Sequence, residues 1–231
     1  MPHPTPLRSA SGPTTCGSLS YQIAGELVPV LDIELGGEEI YFEHHILLWK
    51  DPSVTIGVKT LKGAFKRLIA GMAIFMTEAR GPGHISFSRD GVGQVFPIHL
   101  QRGQEIEVRE HQFLAATSSV DYTFVRVQGI ANMFLGGTGF FIDRFSCVRD
   151  PGILWLHGYG NVFEIELRAG DAIDVEPGAW VYKDRSVSME TQFQRLSTGL
   201  FASAGQLTWN RFTGPGRLGL QSMTMGIASD S

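Results

Sequence analysis

Histidine is the residue type in this chain best suited to acid–base or metal chemistry, and seven histidines are scattered along its 231 residues. His45 and His111 stand at equivalent turn positions, which favours surface turn residues over metal ligands. His99 lies among alternating residues, which indicates a solvent-facing position or a polar contact between units. His84 and His157 border turns and have no serine or carboxylate at a motif spacing. No grouping typical of nucleophilic catalysis therefore emerges.

A second candidate for chemistry is the stretch from Gly170-Asp171 to Pro177-Gly178. It resembles the second motif of cupins, which place a glycine-aspartate turn before a Pro-Gly turn. Cupins usually bind a metal through a His-x-His pair, a following Glu and a later His. Here the third residue after Gly178 is Val181, and the chain contains no His-x-His. A cupin-like metal-dependent enzyme is therefore a weak alternative.

The glycine run at 136–139 raises the question of a phosphate-binding loop. It lacks the Gly-Lys-Ser/Thr ending, and an apolar strand pattern follows it instead of a helix. We interpret the run as a linker before a strand. Carboxylates also recur beside the strand turn of each unit and are expected to solvate it: Glu38, Glu39, Glu105, Glu107, Asp171 and Asp174.

Composition narrows the class of protein. The net charge of −4 and pI near 6.0 make nucleic acid an unlikely partner, because its binders usually carry a basic excess. Cys16 and Cys147 form no disulfide framework, which predicts a reducing, cytoplasmic location. No apolar run is long enough to predict a transmembrane segment. The Pro/Ser/Thr/Gly-rich residues 1–18 are expected to be a flexible tail.

An internal repeat organises the chain. One pattern of strand, glycine turn and strand occurs three times, at Val30–Phe42, Val95–Val108 and Val162–Asp184. The starts of these copies are 65 and 67 residues apart. Pro-Gly turns at Pro82, Pro151 and Pro215 are 69 and 64 residues apart. Two independent markers thus share one period of roughly 65 residues.

This repeat predicts an all-β fold with three pseudo-repeats of a β-sandwich or double-stranded β-helix-like unit. We expect pseudo-threefold symmetry, one short helix and one compact unit. The predicted segments are repeats at 19–70, 71–136 and 137–196, closing strands at 197–226 and a tail at 227–231. The first repeat lacks a Pro-Gly hairpin, so the C-terminal strands are expected to complete it and close a ring without exposed edges.

Turn residues are the positions that the repeat marks most clearly. Proline is expected to set φ at the first corner, and glycine to supply the positive φ that follows. The predicted structural turns are Gly81, Pro82, Gly83, Gly103, Pro151, Gly152, Gly170, Pro177, Gly178, Gly214, Pro215 and Gly216.

The stretch from Thr60 to Met72 has apolar residues near helical spacing and predicts the one helix. A crossover helix that covers an open end of the β structure is one interpretation. A basic patch that contacts an anion, a protein partner or a membrane surface is the other, and its residues are Lys59, Lys62, Lys66 and Arg67.

From about Tyr21 to Met223 the chain resembles the bacterial and mitochondrial family named for altered inheritance of mitochondria, number twenty-four. The ordered set that carries the resemblance is Arg67–Gly71 before Phe75, Gly81–Gly83, Phe113–Ala116, Gly170-Asp171 with Val175–Ala179, and Gly214–Gly216. His45 and His111 depart from it, since the family often has glycine there.

The resemblance implies three β repeats, each similar to a subunit of the tryptophan RNA-binding attenuation protein. It implies no catalytic residue and no cofactor. Mitochondrial members are linked to the organisation of inner-membrane complexes. The leading hypothesis is therefore a non-enzymatic, self-associating scaffold or binding protein. A small-ligand or RNA-binding protein is the alternative by fold analogy, and fold alone does not license function.

Overall fold

The computed structural model describes residues 3–7, 12–60, 75–127, 140–195 and 206–224. Its regular structure there is antiparallel β-sheet, apart from one 3-10 turn at His44–Ile46. The all-β prediction is confirmed. The predicted helix falls largely outside the described residues, and Thr60, its expected start, is the last residue of a strand.

The strands fall into an N-terminal group and three blocks of six. The N-terminal strands are β1 (Thr5–Pro6), β2 (Thr14–Cys16) and β3 (Leu19–Ala24). Block one contains β4 (Val30–Leu35), β5 (Glu39–Phe42), β6 (Leu47–Lys50), β7 (Thr55–Thr60), β8 (Phe75–Arg80) and β9 (Gly83–Phe87).

Blocks two and three follow in the same order. Block two contains β10 (Gly93–Leu100), β11 (Glu105–Arg109), β12 (Phe113–Thr117), β13 (Val120–Val127), β14 (Phe140–Cys147) and β15 (Gly152–Tyr159). Block three contains β16 (Val162–Leu167), β17 (Ala172–Val175), β18 (Trp180–Asp184), β19 (Ser188–Arg195), β20 (Gln206–Thr213) and β21 (Gly216–Gln221).

Each block pairs its strands in the same way. The first, sixth and third strands form one sheet, as in β16-β21-β18, and the second, fifth and fourth form another, as in β17-β20-β19. In block three both sheets contribute to one buried cluster that includes Ile165, Trp180 and Phe212. The alternation of apolar and polar residues explains this arrangement, because each sheet turns one apolar face inward.

Neighbouring blocks are joined by edge-to-edge strand pairing, here called an inter-block junction. The third strand of one block pairs with the second strand of the block before it, as β12 does with β5 and β18 with β11. The corresponding strands β6 and β17 have no such second partner among the described strands. Two sheets therefore each contain strands of two blocks, whereas β6 and β17 lie at the edges of sheets that do not reach a second block.

The C-terminal hairpin differs from the sequence-based expectation. The sequence predicts it beside the first repeat, but β20 pairs with β17 and β19, and β21 pairs with β16 and β18. The hairpin β8–β9 completes the first block instead. Each hairpin thus pairs with the earlier strands of its own block. The expected closure by the C-terminal strands is therefore not seen in the described residues. The pseudo-threefold arrangement stays a prediction.

The N-terminal residues also differ from the loose tail that their composition predicts. β1 pairs with β16, and the Leu7 amide donates to the Val162 carbonyl at 2.8 Å. β2 pairs with β3, which continues the sheet of β4, β9 and β6. The described parts of this segment are therefore integrated into two sheets.

Most of the predicted turn residues lie between strands, whereas Gly83, Gly152 and Gly216 are the first residues of β9, β15 and β21. The Gly81-Pro82, Asp150-Pro151 and Gly214-Pro215 peptide bonds are cis, a turn type that the sequence does not reveal. Glycine supplies positive φ after two of them, at Gly83 (131°) and Gly216 (135°). Gly103 and Gly170, at equivalent turns of blocks two and three, both have φ of 87°.

A charged triad lies at the junction of blocks two and three. The Glu107 carboxylate receives Lys183 Nζ on one oxygen and Arg144 on the other, each at 2.5 Å. The Glu107 side chain is only 10% exposed and that of Lys183 6%. Burial alone would raise the pKa of Glu107, but hydrogen bonds from Lys183 and Arg144 outweigh it and lower the pKa.

We expect Glu107→Gln to lower the free energy of unfolding by about 3 kcal/mol, because two cations are left without their shared carboxylate. Asp174→Asn is the matched control, since Asp174 pairs with Arg211 on an exposed surface. Its loss should be much smaller. Urea unfolding of dilute protein measures both, and equal losses would contradict a stabilising role for the buried triad.

Candidate functional site

A surface cleft of about 560 Å³ lies where blocks two and three meet. Its walls come from the end of β10, the start of β11, the cis-Pro151 turn and the end of β18. His99, predicted to be solvent-facing or at a contact between units, is exposed in this cleft. Its Nε2 lies 3.5 Å from the Tyr21 hydroxyl, so it also connects block two with the N-terminal strand β3.

Ion pairs occupy charged side chains of the cleft. Arg217 donates to both oxygens of Asp184, at 3.2 and 3.0 Å. Burial tends to lower the pKa of Arg217, but its hydrogen bond with Asp184 raises the pKa overall. Arg185 Nε lies 3.0 Å from Glu105. The cleft therefore offers paired charges for binding a polar group, and the carboxylates of these pairs are committed to arginine instead of proton transfer.

A serine, an aspartate and a histidine meet on the sheet of block one, which spacing in the sequence does not reveal. Asp32 accepts a hydrogen bond from Ser86 at 2.5 Å, and its other oxygen contacts His84 Nδ1 at 2.9 Å. This hydrogen bond to Asp32 raises the pKa of His84. Aspartate stands between the other two, so histidine does not contact the serine hydroxyl. The order is wrong for a nucleophile activated by a base.

A buried polar cluster lies at the end of β15 that is opposite the cleft. It is formed by Arg89, Arg109, Gln112, His157 and Tyr159. His157 is 1% exposed inside β15, although the sequence places it at a turn border. Its ring packs edge-on against Tyr159 with centroids 4.7 Å apart. Arg89 donates to the Phe113 carbonyl at 2.6 Å. Continuous burial of β15 on both faces removes the alternation that would reveal the position of His157.

Burial governs the chemistry of His157. Desolvation, followed by the charge of Arg89, lowers the pKa of His157 to about 4. The imidazole is therefore neutral at neutral pH. Within the described residues, neither ring nitrogen has a protein partner with normal hydrogen-bond geometry, and the Gln112 side chain also lacks one. The cluster is a polar part of the interior, enclosed by the strands around it.

The basic patch predicted from the sequence is described only in part. Lys59 lies in β7 with Nζ 4.2 Å from the centroid of the Tyr41 ring, a cation–π contact. Lys62, Lys66 and Arg67 lie outside the described residues. Whether the four form one surface stays a prediction.

Metal ligands and membrane-spanning helices are the remaining features that would indicate a function. Across the described ranges, no group of three or more His, Cys, Asp or Glu side chains is arranged to hold a metal ion. Nor does any helix in those ranges have the length and apolarity to cross a membrane. Cys16 and Cys147 are both free thiols.

Comparison with known proteins identifies a family, and it also identifies solved structures with a similar fold. Residues 21–223 match the family model described as mitochondrial biogenesis AIM24. A Streptococcus pyogenes protein of known crystal structure superposes with a TM-score of 0.67 and 20% sequence identity, over 89% of this chain and 94% of that one. At that identity the likeness concerns the fold alone. No curated protein matches the chain significantly.

We expect acid to destabilise the protein through His157. The unfolded histidine has a pKa near 6.5 and the folded one near 4, so below pH 6.5 the unfolded state binds more protons. Stability should therefore fall as the pH drops through this window, by about 2 kcal/mol between pH 7 and pH 5 from this group. Urea unfolding at both pH values measures the loss.

His157→Asn is the control, because asparagine does not titrate. The variant should be less sensitive to pH than the wild type over the same window. An unchanged pH dependence in the variant would show that His157 is not the responsible group.

Proposed function

The chain belongs to the AIM24 mitochondrial biogenesis family, and we propose that it is a non-enzymatic scaffold or binding protein that associates with further copies of itself. The observation that carries this proposal is the apolar surface of block one. Leu48 and Trp49 on β6 are 47% and 58% exposed. Ile56 and Val58 on β7 are 42% and 66% exposed.

Exposed apolar side chains gathered on edge strands favour an interface. Single exposed apolar residues are ordinary, but β6 and β7 each carry two at the edge of a sheet, and such concentrations favour protein-binding surfaces. Tryptophan is enriched among the residues that contribute most to binding. Open strand edges also offer backbone hydrogen bonds to another chain. Block one therefore combines apolar area with unpaired backbone groups.

The described polar groups support a role without catalysis. Both arginines of the cleft are paired with carboxylates, Asp184 and Glu105. Asp32 separates Ser86 from His84. His157 is neutral and enclosed. Each of these side chains has a structural use, namely binding strands together or filling the interior.

The family description suggests the cellular process in which the protein takes part. A protein associated with mitochondrial biogenesis is suited to supporting membrane-associated complexes, which it would reach through protein contacts or through the Lys59 patch. The two free thiols support a reducing compartment, and we place this chain in the cytoplasm.

A second candidate function rests on the cleft between blocks two and three. Its volume suits a small polar ligand, which its paired charges can bind by hydrogen bonds. RNA is less favoured because the net charge is −4. A binding assay at low salt that shows no salt-dependent affinity for RNA would rule out the RNA-binding alternative.

Sedimentation velocity at micromolar concentration tests the scaffold proposal. The wild type should sediment as a species larger than its 25.3 kDa monomer, and Leu48→Ser with Trp49→Ser should shift it toward monomer. Val148→Ser is the control, since Val148 is also exposed, at 40%, but lies on block two. A wild type that stays monomeric, and also captures no partner in a pull-down, would refute the proposal.

A further inference from the structure

We infer that β6 of one copy of this chain pairs with β17 of a second copy, in the register that β18 uses with β11. This inference rests on the proposed self-association and specifies its interface. The chain contains two inter-block junctions, β12 with β5 and β18 with β11. The equivalent third junction would join β6 to β17, but neither strand has this partner among the described strands.

The equivalence of the third strands is set by their pairing with the sixth. β6, β12 and β18 each pair with the last strand of their block, and each has a register shift after its first residue. Aligned on that shift, Trp49 corresponds to Tyr182 and Lys50 to Lys183. Tyr182 and Lys183 both lie on the strand that makes a junction.

The second strands are aligned by their pairing with the fifth. Glu107 lies opposite Arg144, and Asp174 lies opposite Arg211. Asp174 therefore corresponds to Glu107. Since Lys183 pairs with Glu107 across the existing junction, the same register places Lys50 opposite Asp174.

The charges on the two open strands complement each other. Asp174 receives Arg211 on both oxygens, at 2.7 and 2.8 Å, whereas Glu107 receives its arginine on one oxygen and its lysine on the other. Asp174 has no lysine partner among the described residues. Lys50 makes no ion pair in the same residues, and its Nζ donates only to the Asp51 carbonyl at 3.2 Å. A β6–β17 junction would complete the triad seen around Glu107.

The exposure of the apolar residues on β6 supports the same pairing of β6 with β17. Leu114 and Val181, which correspond to Leu48, are fully buried at the internal junctions. Leu48 is 47% exposed because its strand lacks the neighbour. In the transferred register Trp49 lies opposite Val175, as Tyr182 lies opposite Val108. The exposed part of β6 is thus the part that a junction covers elsewhere.

A second copy is the occupant that meets all these conditions. It presents β17 with its Asp174–Arg211 pair, and it has a β6 of its own for the next contact. The junction joins unlike edges, so it is heterologous and either extends or closes into a ring. A partner with unrelated sequence would need to reproduce both the charge and the register.

Charge reversal and mixing test this interface. Lys50→Glu brings a carboxylate against Asp174, and Asp174→Lys brings an ammonium group against Lys50. Each variant alone should therefore associate about tenfold more weakly than the wild type. In an equal mixture of the two variants, a contact between unlike copies joins opposite charges, whichever variant supplies β6 and whichever supplies β17. Its affinity should return to within about threefold of the wild type.

Arg149→Glu is the matched control, because it reverses an exposed charge on block two away from both edges. Its association should be unchanged. Thermal unfolding of each variant checks that the fold is retained, and recovery in the mixture is itself incompatible with misfolding.

Carbodiimide cross-linking of a mixture of ¹⁴N- and ¹⁵N-labelled wild-type protein gives a second measurement. A Lys50–Asp174 amide in peptides of mixed label is expected. If the wild type associates but neither reversal weakens it, the interface is wrong while the scaffold proposal stands. A cross-link confined to peptides of a single label would show closure within one chain and overturn the contact between copies. A monomeric wild type would overturn both self-association and this interface, leaving partner capture to decide the scaffold role.

Discussion

The hydrogen-bonding edge of the β-sheet is the constraint on which this structure depends. Every strand has two rows of backbone donors and acceptors. A row without a partner costs free energy when it is buried and can pair with another chain when it is exposed. Pairing within each block satisfies most of these rows, and the junctions of β12 with β5 and of β18 with β11 satisfy rows that would otherwise lie at block edges. Because a slip of one residue would exchange the two faces of a strand, these junctions also decide which side chains reach the interior. Each of the three buried clusters accordingly contains residues from neighbouring blocks.

Charged residues in this protein act mainly to align strands. Glu107 lies between two cations where two sheets become one, and Asp184 fixes the turn of the last hairpin through Arg217. Such pairs favour one register of the strands, because any other register would leave a buried charge without its partner. This use explains why many polar side chains in the described residues have partners and why few are available for chemistry. The scaffold or binding role proposed above would therefore depend on surfaces and strand edges.

Local features of the fold could be predicted from the sequence, and its long-range pairing could not. Alternation and turn glycines such as Gly103 and Gly170 mark the strands correctly, because each depends on only a few neighbouring residues. The partner of each hairpin depends on tertiary packing, so the sequence places the β20–β21 hairpin beside the wrong block. The burial of His157 escapes prediction because β15 is buried on both faces, which removes the alternation that would place it. The meeting of Ser86 with Asp32 likewise joins residues 54 positions apart.

The first strand has a consequence for how the chain is made. Thr5 binds Glu164, 159 residues further on, through a strand of only two residues. Closing so long a loop costs entropy that grows with the logarithm of its length, and so short a strand offsets little of that cost by itself. On a ribosome, which delivers the N-terminus first, β1 has no binding site until β16 has emerged and folded. The residues of β1 are therefore synthesised well before those of β16 but reach their native position only after β16 has folded.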